Sequence, residues 1–194
     1  QRSSKEFQAD QLSHGPNGEL IARCGFLDSG SSLSGRILGQ AYIALSMITT
    51  AWRRKGPLDG FSPDLIIGTV PALPTAWVTE MVARGLKAPY VIDLRDSWPD
   101  LLTEHDRWND GTGKTSMREK LLKRGPFQVL AAIVERVMLR SYRNSAGMIT
   151  TSNLLREQLS SNPRVVPPNA EKPMETIFNV FPSETVRKLS LIHI

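Results

Sequence analysis

The sequence predicts an α/β domain, a parallel sheet with helices on both faces. Two observations carry that prediction. Short, continuous apolar runs rich in β-branched residues recur at Leu65–Ile67, Tyr90–Leu94 and Ala146–Thr150, as expected of strands buried in a parallel sheet rather than half-exposed in an antiparallel one. Between them lie longer stretches with apolar residues at helical spacing, so the order alternates helix, strand, helix, strand. No period of 20–50 residues is visible, which excludes a solenoid.

Taken in order, residues 1–19 are polar, and His14–Gly18 (His-Gly-Pro-Asn-Gly) reads as a turn within loop. Leu20–Leu27 predicts a short strand. After the Ser/Gly run at 29–35, Ile37, Leu38, Ala41, Leu45, Ile48 and Trp52 form one helical stripe. Arg53, Arg54 and Lys55 suit a helix C-terminus, and Gly56-Pro57 ends it. The strand at 65–67 follows, then Pro71–Thr75 and a helix through Ala76, Trp77, Val78, Met81 and Val82 that closes near Gly85.

Ala88–Leu94 is the next strand, and the polar stretch 103–125 reads as loop. Pro126 suits the first position of a further helix, whose apolar face is Phe127, Leu130, Ile133, Val134, Val137 and Met138. Arg136, Arg140 and Arg143 share a different stripe of it. The strand 146–150 leads through Thr151-Ser152, with Ser152 a natural N-cap, into a helix holding Leu154, Leu155 and Leu159. Thr176–Phe181 is the last expected strand.

The 194 residues are enough for one sizeable domain. Hydrophobic residues at 40% and charged residues at 22% exclude a disordered chain. A formal net charge of +5 favours anionic partners, but the basic residues are scattered and give no nucleic-acid tract. The single cysteine, Cys24, cannot form an internal disulfide and fits a reducing compartment. No apolar run approaches the roughly 20 residues of a membrane span, so the expected location is cytoplasmic. The chain opens without Met, and Leu189–Ile194 resembles the translation of a sequencing-library adapter, so a truncated reading frame is expected.

Chemical motifs are few. Gly111–Thr115 (Gly-Thr-Gly-Lys-Thr) hints at a phosphate loop, but Trp108 stands where the pattern needs glycine and no buried strand precedes it. It reads as a mobile surface loop. No HExxH, paired cysteines or clustered histidines suggest a metal site, and Asp93, Asp96 and Asp100 do not converge by simple strand geometry. No G-x-S-x-G elbow is present. What remains is the carboxyl end of the strands, where open α/β sheets bind ligands. Three such ends carry polar groups: Thr69 with Pro71, Arg95 with Asp96, and Thr151 with Ser152. Arg95 suits phosphate or sugar hydroxyls; the alternative is an internal pair in which Asp96 orients Arg95 or caps the next turn. Trp98 either packs the loop or faces a sugar ring.

Pro63–Pro74 and Ala88–Asp100, followed by Val134–Arg143, Ala146–Leu155 and Asn179, resemble in their order the family 4 glycosyltransferases of bacterial surface polysaccharide (O-antigen and capsule) assembly. The resemblance covers about residues 20–182. It implies a GT-B architecture of two Rossmann-like domains across a cleft. Residues 1–182 would be an incomplete N-terminal, acceptor-side domain, 183–188 the start of the interdomain region and 189–194 the adapter. The donor-binding domain, with its paired glutamates, would lie beyond.

The activity implied is retaining transfer from a nucleotide sugar to a glycan or lipid-linked acceptor, with no cofactor and no required metal. Arg95, Asp96, Thr69, Pro71, Trp98, Thr151 and Ser152 would line the acceptor crevice, while the catalytic residues stay unassigned. The chain alone is expected to be inactive and marginally stable, because the family's central first strand is absent from it. Arg136, Arg140 and Arg143 read first as a solvated helix face, with contact to an anionic membrane as the alternative. The rival function is a non-catalytic Rossmann-like module that binds a nucleotide or anion.

Overall fold

A computed structural model of the chain describes residues 12–27, 33–53, 58, 60–70, 74–96 and 126–178. It opens with a small antiparallel hairpin, β1 (Leu12–His14) on β2 (Leu20–Ala22), with His14 opposite Leu20. Its turn is closed by the Gly15 N–H donating to the Glu19 carbonyl at 2.8 Å, and Gly18 takes a φ of +87° that side chains other than glycine's resist. The segment expected to be loop therefore contributes a strand, and the strand expected over 20–27 stops at Ala22. Past it the backbone turns to the first helix, where the Gly25 N–H donates to Ser46 Oγ at 2.7 Å.

The main sheet has four parallel strands in the order β3 (Ile66–Val70), β4 (Tyr90–Leu94), β5 (Gly147–Thr150), β6 (Met174–Thr176). Among the described residues four α-helices accompany it: α1 (Leu33–Arg53), α2 (Pro74–Leu86), α3 (Pro126–Asn144) and α4 (Asn153–Ser160). The α/β class and the parallel sheet are as the sequence predicts. The last strand falls earlier than expected, at 174–176 rather than 176–181, and Asn179 lies outside the described residues, as do Pro71, Trp98, the Gly111–Thr115 motif and the whole 103–125 stretch.

Each strand lies beside the one before it, and connections between parallel strands are right-handed. Successive crossovers in one direction therefore put α2, α3 and α4 on the same face. The core agrees. Val70, Ile92, Leu94 and Met148, which share one face by alternation and register, are buried with Ala76 and Ala83 of α2, Met138, Leu139 and Tyr142 of α3, and Leu155 and Leu159 of α4. Fully burying one such side chain stabilises by about 1.5–3 kcal/mol. Helices were expected on both faces. Among the described residues they cover one, because a sheet that runs β3 to β6 without reversing direction winds only one way.

The strand at the open edge shows the consequence. Leu65 and Ile67 were expected to be buried, yet both point to the uncovered face and Ile67 is 58% exposed. Helix α1 also departs from its expected stripe. It packs on α2 rather than on the sheet, through Ala44 and Ile48 against Val78, while Ile37, Leu38, Leu45 and Trp52 remain exposed. A helix that meets one other helix needs only a narrow buried strip. Helix α2 closes beside Gly85 as expected, at Leu86, and Gly85 also serves this contact: a Cβ there would collide with the Trp52 indole, whose Nε1 donates to the Met81 carbonyl at 3.1 Å. The turn after α2 is made by Lys87, at a φ of +57°.

Two polar clusters brace the amino-terminal end of the sheet. Glu80, 2% exposed, accepts from Arg84 Nη2 (2.5 Å), Asn144 Nδ2 (2.8 Å) and Ser141 Oγ (2.7 Å), which ties α2 to α3. Tyr90 joins it by donating to the Ser141 carbonyl at 2.7 Å, and burial, with Glu80 nearby, raises its pKa well above the usual phenol value. Lys172 Nζ donates to the carbonyls of Tyr142, Arg143 and Ser145 and to Ser145 Oγ, at 2.5–3.1 Å. A cation there satisfies the open carbonyls at the end of α3 and fixes the approach to β6.

Candidate functional site

The carboxyl ends of β3, β4 and β5 deliver the polar groups. In register, Thr69 of β3 lies beside Asp93 of β4, and Asp93 beside Ile149 of β5. Neighbours in register project from the same face, so Thr69 and Asp93 meet: Thr69 Oγ1 donates to Asp93 Oδ2 at 3.1 Å. Arg95, two residues past Asp93, returns to that face, and its Nε and Nη2 both reach the same Oδ2 at 2.8 Å. One strand further, Thr151 Oγ1 donates to the Arg95 carbonyl at 3.4 Å. Four residues on three consecutive strand ends are thus joined by hydrogen bonds.

Burial within this group is uneven. Asp93 is 4% exposed, whereas the Arg95 side chain is 37% exposed. A carboxylate kept out of water needs a balancing charge and hydrogen bonds, and Arg95 supplies the charge. Both guanidinium donors and the threonine hydroxyl fall on Oδ2, while Oδ1, also buried, has no hydrogen-bond partner. Leaving such an acceptor unsatisfied costs about 1–3 kcal/mol. The side-by-side geometry common for Arg–carboxylate pairs would engage both oxygens, and here one is held back.

Of the site residues expected from sequence, Thr69, Arg95 and Thr151 are brought together. Asp96 is exposed, and Arg95 pairs with Asp93. Extended backbone explains this, because residues two apart share a face and adjacent ones oppose. Ser152 serves the fold: its hydroxyl accepts from the Leu155 N–H at 3.2 Å as the N-cap of α4. Pro71 and Trp98 lie outside the described residues.

Asp93 is the site residue missed, although an acid inside the apolar run Tyr90–Leu94, two before an arginine, was a readable signal. Beneath it, on the core side of the strand ends, Thr150 is buried, with Oγ1 at 3.2 Å from the Ser152 carbonyl and 3.4 Å from both the Glu175 carbonyl and Thr176 Oγ1.

The arrangement offers a guanidinium on the solvent side, an acceptor oxygen below it and hydroxyls at either flank. Helices α2 and α4 start at this same carboxyl end of the sheet, on its other face, where helix N-termini carry positive potential. Such a set recognises neutral hydroxyls and anionic oxygens. Among the described residues no three metal-ligating side chains cluster, and no helix is long and apolar enough to cross a membrane. In comparisons with known proteins, no protein-family profile and no curated protein matches the chain.

Proposed function

We propose that this chain forms the acceptor-side, Rossmann-like domain of a GT-B glycosyltransferase, which moves a sugar from a nucleotide sugar to a growing surface glycan with retention of configuration. The observation that carries the reading is the hydrogen-bonded group Thr69–Asp93–Arg95–Thr151 across three consecutive strand ends. Ligands of open α/β sheets bind at that end. The ordered segments from Pro63 to Leu155 that resemble family 4 glycosyltransferases give the group its chemical class.

In this reading Arg95 steadies the acceptor or a developing negative charge near it, and Thr69 and Thr151 border the acceptor. The nucleotide sugar is held chiefly by a second domain. Arg136, Arg140 and Arg143 are all exposed on α3, beside exposed Ile133, which supports peripheral contact of the enzyme with an anionic membrane that carries a lipid-linked acceptor.

The test is transfer itself. The protein expressed from its complete gene is incubated with labelled nucleotide sugars and membranes bearing polyprenyl-linked acceptors. The expected result is incorporation of label that falls by about 100-fold in Arg95→Ala, a typical loss when a charge-stabilising group is removed. Nucleotide-sugar binding without any incorporation sinks the transferase reading and leaves a non-catalytic binding module.

A further inference from the structure

Two buried carboxylates in this chain are treated differently. Glu80 receives donors on both oxygens. Asp93, nearly as buried, receives three donors on Oδ2 and none on Oδ1. The difference follows location: Glu80 joins two helices at the amino-terminal end of the sheet, whereas Asp93 stands one residue from the carboxyl end of β4 with a strand on either side. Its face of the sheet is the one that no described helix covers.

Resting on the carbohydrate reading above, we propose that Asp93 is the hydroxyl acceptor at these strand ends, with Oδ1 taking a hydrogen bond from one hydroxyl of a bound glycoside. Thr69 and Arg95 hold the carboxylate by its other oxygen and keep its orientation fixed. The class of ligand follows from charge. Arg95 already balances the carboxylate at 2.8 Å, so a second cation gains little there, whereas a neutral O–H satisfies the acceptor and adds no charge to a buried site. The guanidinium is the more solvent-exposed member of the pair. Thr69 and Thr151, at either side of the pair, place further hydroxyls within reach of a polyol.

The test measures binding of glycosides to the full chain by saturation-transfer NMR and calorimetry, using methyl α-glycosides of glucose, galactose, mannose and N-acetylglucosamine. Each glycoside that binds is then compared with its series of monodeoxyfluoro analogues. Fluorine removes the O–H donor at nearly constant size. The expected result is binding of at least one glycoside, with an affinity loss of about tenfold or more on fluorination at one position, as for a hydrogen bond to a charged acceptor. In Asp93→Asn the amide places its NH2 group where Oδ1 stood, and discrimination at that position disappears.

Failure of the wild type to bind any glycoside, equal affinity across the analogues, or discrimination that persists in Asp93→Asn overturns the assignment. If Asp93→Asn does not fold, the wild-type analogue series decides alone. Sugar transfer by the complete gene product is read separately. Transfer without hydroxyl discrimination removes this role from Asp93 and leaves the transferase. Discrimination without transfer does the reverse.

Discussion

Replacing Glu80 by alanine tests whether a buried carboxylate holds α2 and α3 together. Three donors lose their acceptor. Arg84 has a half-exposed side chain and Asn144 is exposed, so each returns to water and together they contribute about 1 kcal/mol. Ser141 is fully buried, and its 2.7 Å bond to Oε2 is charge-assisted, worth about 1.5–3 kcal/mol. Part of that is recovered because Ser141 Oγ also lies 3.1 Å from the Val137 carbonyl. The space left by the side chain adds a cavity cost, and relief of the buried charge offsets some of it.

The net expectation is a loss of about 2–4 kcal/mol, a large share of the 5–15 kcal/mol usual for a domain. Glu80→Gln keeps the shape and an acceptor, and is expected to cost about 1 kcal/mol. Equilibrium urea unfolding followed by tryptophan fluorescence reads both, with the alanine midpoint lower by about 1–2 M at a slope of about 2 kcal/mol/M. An alanine variant as stable as the parent, or a glutamine variant less stable than the alanine one, refutes the reasoning.

Other expectations follow from single contacts. Burial lowers the Lys172 pKa from the ordinary lysine value to about 8. Between there and the ordinary lysine value the unfolded chain keeps a proton that the folded chain sheds, so this group's contribution to stability rises with pH and is lost as pH falls through about 8; urea midpoints at pH 7.5 and 9.5 should rise less in Lys172→Met than in the parent. A Cβ at Gly68 would overlap the Thr79 side chain, so Gly68→Ala should destabilise by about 1–3 kcal/mol through overpacking, read as a lower urea midpoint. Lys87→Gly should stabilise by about 0.5–1 kcal/mol, because glycine accepts the positive φ at that turn, and a higher midpoint checks it. Ser152→Ala removes the N-cap of α4 and should cost about 1 kcal/mol, with faster amide exchange in the first turn of that helix.

What the sequence disclosed depended on how local each signal was. The buried strand Tyr90–Leu94, the Ser152 cap and the α/β alternation rest on neighbours along the chain, and all were readable. The buried side of α1 was not. Of its apolar stripe only Ile48 and Trp52 reach α2, where the small residues Ala44 and Gly85 let the helices approach, while Ile37, Leu38 and Leu45 stay exposed. The hairpin strand Leu12–His14 is too short and polar to show periodicity, and it exists through pairing with Leu20–Ala22.

At the candidate site Thr69, Arg95 and Thr151 were legible from their positions at strand ends. In sequence Asp93 groups with Asp96 and Asp100 as a possible metal cluster, whereas its partner in the fold is Arg95, two residues away. Glu80 gave no signal either. An acid in a helix is usually solvated, and only the tertiary approach of Ser141 and Asn144 reveals this one as buried.

If the carboxyl ends of β3, β4 and β5 form the proposed carbohydrate site organised by Asp93 and Arg95, a bound glycoside perturbs the backbone there. Amide chemical-shift mapping of the labelled chain during titration with the glycoside panel tests it most directly. Saturable shifts are expected to concentrate at Thr69, Val70, Leu94, Arg95, Asp96 and Thr151, and to be much reduced in Arg95→Ala. Shifts confined to the other end of the sheet, around Phe61, Leu65 and Leu86, or no saturable shifts with any glycoside, would contradict it.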